Sequence, residues 1–175
     1  MRLKPFALAI LLAAGWGAAH AQAIPGYGKF TPLPQAHEQP NATTDYKVVM
    51  DVSQGAKTPD AVNPGLDRMA RLANILSAGG APRAHQHLAL VVHGGATDSV
   101  VTDEAYARRH DGLKNPNTAL LAALRAAGVS VRICGQSMLG SKLSEADLAP
   151  GVQLDVAALM TVTDLQLAGY ALVVN

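Results

Sequence analysis

Aromatic side chains are scarce in this 175-residue chain, which has one Trp, two Phe and four Tyr. Charged residues are also few, at 15%, and nearly balanced, with fourteen Lys and Arg against thirteen Asp and Glu. A nucleic-acid-binding surface needs clustered cations and stacking rings; both are missing, so no nucleic-acid partner is expected. The chain contains no G-x-G-x-x-G, P-loop or G-x-S-x-G sequence. These gaps remove the usual signs of a dinucleotide site, a nucleotide-phosphate cradle and a serine-hydrolase elbow, and no cofactor is expected. Cys134 is the single cysteine, so an intrachain disulfide is excluded.

What is present begins with an export pattern. Arg2 and Lys4 precede an uncharged run from Phe6 to Ala19, which ends in the small-residue sites Ala19-His20-Ala21 and Ala21-Gln22-Ala23. This is the pattern of a cleaved secretory leader, cut after Ala21 or Ala23. The run falls short of the ~20 residues that span a bilayer. The expected organisation is a leader over 1–23, a Pro-rich extension over 24–44 and one domain over 45–175. The protein is expected to be periplasmic or secreted, free of the membrane after cleavage. Loss of the leader removes two basic residues and no acidic one, leaving about 150 residues with a charge of about −1, enough for one ordinary core.

Strand and helix patterns alternate from Tyr46 onward. The β-branched run "YKVVMDVS" predicts a first strand, and Asn63-Pro64 followed by Leu66, Met69, Leu72, Ala73 and Leu76 predicts a helix over 64–77, stopped at Gly79-Gly80. "HLALVVHGG" reads as a strand covered on both faces. Thr102 caps a short helix, Asn115-Pro116 repeats the Asn-Pro entry into a helix that stops at Gly128, and "VSVRIC" is the third strand. A polar region over 135–151 holds a short turn capped by Ser144. It precedes the strand "VQLDV", a helix over 157–167 and a last strand, "YALVV". The fold class is α/β: a three-layer α/β/α domain with a mainly parallel five-stranded sheet.

In such sheets, chemistry gathers at the carboxyl ends of the strands. Ser53-Gln54, His93-Gly94-Gly95 and Cys134-Gly135-Gln136-Ser137 fall on that edge. Cys134 is either a thiol activated by N–H groups of the following loop or the last buried side chain of its strand. His93 is either a proton carrier or a turn residue. In an oxidising compartment an unpaired cysteine is inert and buried, crosslinked to another chain, or reactive. His85-Gln86-His87 is the one local hint of a metal, but it has no third ligand nearby in sequence, so no metal site is expected. Arg108-Arg109-His110 reads as a solvated helix end.

"HLALVVHGG", "NPNTALLAALRAAGVSVRICGQSM" and "DLAPGVQLDVAALMTVTDLQLAGYALVV", in this order and spacing, resemble the DsrE/DsrF-like sulfur-relay family over about residues 46–175. The resemblance implies a three-layer domain assembled into trimers or hexamers. It also implies a cysteine after the third strand that carries a persulfide, the position of Cys134, with His93 at a histidine-glycine feature of one branch. The implied partners are sulfur-donor and acceptor proteins or small thiols. The expected function is a periplasmic sulfur carrier or sulfurtransferase-like protein, the alternative being a non-catalytic oligomeric binding or scaffold protein. Two features depart from the family pattern: export, since its sulfur-relay members are mostly cytoplasmic, and the absence of a second cysteine that could resolve a persulfide within the chain.

Overall fold

The computed structural model describes residues 22–174; nearly all of the expected leader lies outside the described residues. The elements are β1 (Tyr46–Val52), α1 (Pro64–Ala78), β2 (Gln86–Val92), α2 (Asp103–Arg109), α3 (Thr118–Ala126), β3 (Ser130–Cys134), α4 (Gly135–Gly140), β4 (Gln153–Asp155), α5 (Ala158–Leu167) and β5 (Ala171–Val174). The five strands form one sheet in the order β4-β3-β2-β1-β5, and every pairing is parallel. The α/β class and the five parallel strands match the expectation from sequence.

Period-two alternation sorts each central strand onto two faces. Met50, Val52, Leu88, Leu90, Val92, Val131 and Ile133 point to the larger core, where α1 and α3 supply Leu66, Met69, Leu120 and Leu124. Each fully buried Leu or Met there contributes roughly 1.5–3 kcal/mol. Val49, Ala89, Val91 and Cys134 point to the opposite face, covered by Ala158 and partly buried residues of α5. Among the described residues the five α-helices therefore divide unequally, and one face has α5 as its only helical cover. Leu159 (83% exposed) and Leu167 (82%) on α5 remain open to solvent, as do Val156 and all four residues of β5.

Local signals place most boundaries within a residue or two. Asn63 Oδ1 accepts from the Gly65 N–H (2.8 Å) and Pro64 opens α1. Thr102 caps α2 by accepting from the Ala105 N–H (3.1 Å). Two expectations change. α3 starts at Thr118, not directly after Asn115-Pro116, because Asn115 Oδ1 accepts from the Asn117 N–H (2.9 Å) and holds those residues in a turn. The segment after Cys134, expected as a loop, is the helix α4, anchored in the larger core by Met138.

The Pro-rich extension lies against its own domain. Ile24 is fully buried in the larger core. The Asn74 side chain of α1 accepts from the Ile24 N–H (2.8 Å) and donates to the carbonyls of Ile24, Tyr27 and Gly28 at 3.3, 2.9 and 3.3 Å. One buried amide thus pins four backbone groups of an arm that has no regular ladder of its own.

Candidate functional site

The face covered by α5 meets the carboxyl edge of the sheet at a cavity of about 350 Å³, lined by Asp51, His93, Cys134, Gln136, Ala157, Ala158, Leu159, Val162 and Thr163. Strand period explains the gathering. Asp51 lies two residues beyond Val49 on β1, and His93 two beyond Val91 on β2, so both share a face with Cys134. The His93 N–H donates to Val52 O (3.0 Å), carrying the β1–β2 ladder one step past β2 with extended backbone (φ −155°, ψ −179°). Val92 pairs with Ile133 in register, so the next step sets His93 alongside Cys134.

Two glycines permit the close approach of the surrounding chain. A Cβ on Gly135 would sit 2.8 Å from Asp155 O, so the residue after the cysteine has to be small for β3 to turn into α4 beside β4. Gly94 has φ +54°, a left-handed turn out of β2, and its N–H donates to Ser137 Oγ (3.1 Å). The histidine loop and the cysteine helix are therefore tied together directly.

Cys134 is 6% exposed yet lines the cavity. Burial pushes its thiol pKa up. The Ser137 hydroxyl and the N–H groups of Ala158, Ser137 and Gln136 outweigh burial and hold the pKa below the ordinary thiol value. The stabilising donors come from the starts of α4 and α5, where N–H groups lack intrahelical partners. Because the folded value is depressed, this interaction stabilises the fold above the unfolded thiol pKa and is lost as pH falls through the folded one. Ser137→Ala removes the hydroxyl, and the midpoint of the pH–rate curve for iodoacetamide alkylation of Cys134 is expected to move upward toward that of a free thiol. An unchanged midpoint would show that the hydroxyl does not reach the sulfur.

His93 Nε2 lies 2.6 Å from Asp51 Oδ1, and both side chains are mostly shielded, 29% and 27% exposed. Asp51 was not among the residues singled out from sequence. Its signal is a lone acid inside the apolar strand "YKVVMDV", on the face that a central strand buries. Ser53 and Gln54 share the sheet edge but stay out of the cavity: Ser53 O accepts from the Ala96 N–H, and Gln54 O accepts from Asn63 Nδ2.

The polar cluster around Asp98 and the end of α2 is held by local partners. Asp98 accepts from Arg109 Nε and pairs with His110 Nε2 (both 2.9 Å), and Arg108 pairs with Asp147. Arg108 and Arg109 are exposed at the end of α2, the solvated helix end expected from sequence, and their guanidinium groups also pair with Asp147 and Asp98. His85 Nδ1 and His87 Nε2 stand 3.8 and 4.0 Å from Asp45 Oδ1. Among the described residues no group of three or more His, Cys, Asp or Glu is arranged to hold a metal ion, and no helix is long and apolar enough to cross a membrane. A hollow of about 380 Å³ between the arm and the end of α1 is lined mainly by apolar residues and contains no nucleophilic thiol or histidine.

The parallel sheet thus carries, at the end of its third strand, a cysteine surrounded by hydrogen-bond donors. The sequence profile of the DsrE/DsrF-like family matches residues 47–174, and the chain belongs to that family. Two solved structures share the fold. One is MTH1491 from Methanobacterium thermoautotrophicum, described as a protein of unknown function: TM-score 0.57, 16% identity, covering 75% of this chain and all of that one. The other is the ychN protein from E. coli: TM-score 0.54, 18% identity, covering 74% of this chain and 99% of that one. No curated protein matches the chain.

Proposed function

We propose that this protein is a periplasmic sulfur carrier or sulfurtransferase-like protein in which Cys134 holds sulfane sulfur as a persulfide. The observation that carries the reading is the Cys134 sulfur itself, which lines a cavity beside His93 while three N–H groups and the Ser137 hydroxyl favour its thiolate. A thiolate is the attacking form in sulfur transfer. Ala157 and, from α5, Ala158, Leu159, Val162 and Thr163 form one wall of the cavity, and neither Lys nor Arg lines it. With no second cysteine in the chain, release of the sulfur requires a thiol from another protein or a small molecule. The test is intact-mass measurement after exposure to inorganic polysulfide, with the added mass of one sulfur atom expected on the wild-type chain.

The exposed apolar surface of α5 and β5 supports assembly with further copies of the same chain, as a trimer or hexamer. Residues 152–174 carry two charged side chains, Asp155 and Asp164, so this surface offers a partner copy little charge to desolvate. Leu167→Asp combined with Val174→Asp places charges on that surface, away from the cavity. Light scattering after size-exclusion chromatography is expected to report an oligomer for the wild type and a smaller species for the double variant. A monomeric wild type would count against the assembly.

A further inference from the structure

We propose that Asp51 is a positioning residue that holds His93 as its Nε2–H tautomer, so that the Nδ1 lone pair serves proton transfer at Cys134; the proton-transfer part rests on the sulfur-carrier reading. An ionised carboxylate only accepts hydrogen bonds, so the 2.6 Å contact from Asp51 Oδ1 to His93 Nε2 requires the proton to be on Nε2. Nδ1 then carries the lone pair. Among the described residues it has no hydrogen-bond partner, and it is not a buried orphan. Asp51, His93 and Cys134 are the titratable side chains lining the cavity. The nearest competitor on β4, Asp155, pairs in register with Cys134 but is engaged by Arg132 Nη1 (3.2 Å) and Thr161 Oγ1 (2.8 Å). α5 adds no charge to the cavity, since its Asp164 lines a separate hollow with Arg132 and Asp155.

With a hydropersulfide donor R–S–SH the transfer balances without an oxidant or reductant. The Cys134 thiol gives its proton to His93 Nδ1, and the resulting imidazolium faces the Asp51 carboxylate. The thiolate attacks the outer sulfur of the donor, so the Sγ–S bond forms as the donor S–S bond breaks. The electron pair leaves on RS⁻, which takes the proton back from Nδ1. Cys134–SH and R–S–SH become Cys134–S–SH and RSH, and His93 is restored. The roles follow acid–base logic in which a carboxylate orients the imidazole and stays ionised.

The deciding measurement is long-range ¹H–¹⁵N NMR of the His93 ring, assigned by its loss in His93→Gln, together with rates of sulfur loading from an alkyl hydropersulfide. In the wild type the proton is expected on Nε2. Asp51→Asn is nearly isosteric, but its amide can also donate to Nε2, so the ring should shift toward the Nδ1–H form. Loading should then slow on the order of 10- to 100-fold, with alkylation of Cys134 at high pH unchanged. Asp51→Ala serves as the second variant should the asparagine retain the original tautomer. A wild-type Nδ1–H ring overturns the proposal. So does wild-type loading speed in a variant whose tautomer has shifted. A wild-type chain that takes up no sulfur overturns the sulfur-carrier reading and the proton transfer with it, whereas the tautomer is read in the free protein and stands or falls separately.

Discussion

Replacing Cys134 by serine is expected to abolish sulfur loading entirely: after polysulfide treatment the variant should keep its unmodified mass while the wild type gains one sulfur atom. The size of the effect follows from the chemistry of the atom removed. The serine hydroxyl stays protonated at neutral pH and lacks the nucleophilicity of a thiolate, and the surrounding N–H groups cannot compensate. The fold should survive, because oxygen for sulfur is a small change at a side chain already surrounded by hydrogen-bond donors. Equal mass addition to wild type and Cys134→Ser would move the sulfur elsewhere and end the proposal. The scaffold alternative makes the opposite forecast for the wild type. A Cys134 that resists iodoacetamide in the native state, yet reacts once unfolded, would identify its 6% exposure as that of an inert core thiol.

The second large effect falls on stability, at Asn74→Ala. Asn74 is 1% exposed and serves four backbone groups of the N-terminal arm. Removing its amide either strands those groups in the core or releases the arm to water. Stranding a buried polar group costs about 1–3 kcal/mol, and release forfeits burial of Ile24, roughly 1.5–3 kcal/mol. A net loss of about 3 kcal/mol is expected, which lowers the melting temperature by roughly 6–12 °C for a domain of this size. Calorimetry measures the shift. Limited proteolysis should cut the arm of the variant under conditions that spare the wild type. A melting temperature within a degree or two of the wild type would mean that the Asn74 clamp adds little.

The layered fold was legible because its signals are local. β-branched runs, Asn-Pro entries and glycine stops lie within the segments they shape, and the strand-end rule then put His93 and Cys134 on one edge. α4 was harder to read, because "GQSM" is polar by composition, and what secures it is Met138 reaching a core built from distant segments. Asp51 was missed for a related reason. A single acid in an apolar strand is ambiguous until its face is known, and that face is defined by α5, more than a hundred residues later in the chain. The docking of the arm was equally out of reach, since Asn74 looks like an ordinary helix residue until Ile24 is found beneath it.

That buried isoleucine also bears on how the chain would be matured. The leader expected from sequence has two candidate cuts, after Ala21 or after Ala23. The second would turn the Ile24 amide, buried and bonded to Asn74 Oδ1, into a charged ammonium facing one neutral oxygen, at the several-kcal/mol cost of burying an ion. The first leaves the new terminus on Gln22, which is exposed to water. If a leader is removed, a cut after Ala21 is the one compatible with the buried Ile24 amide.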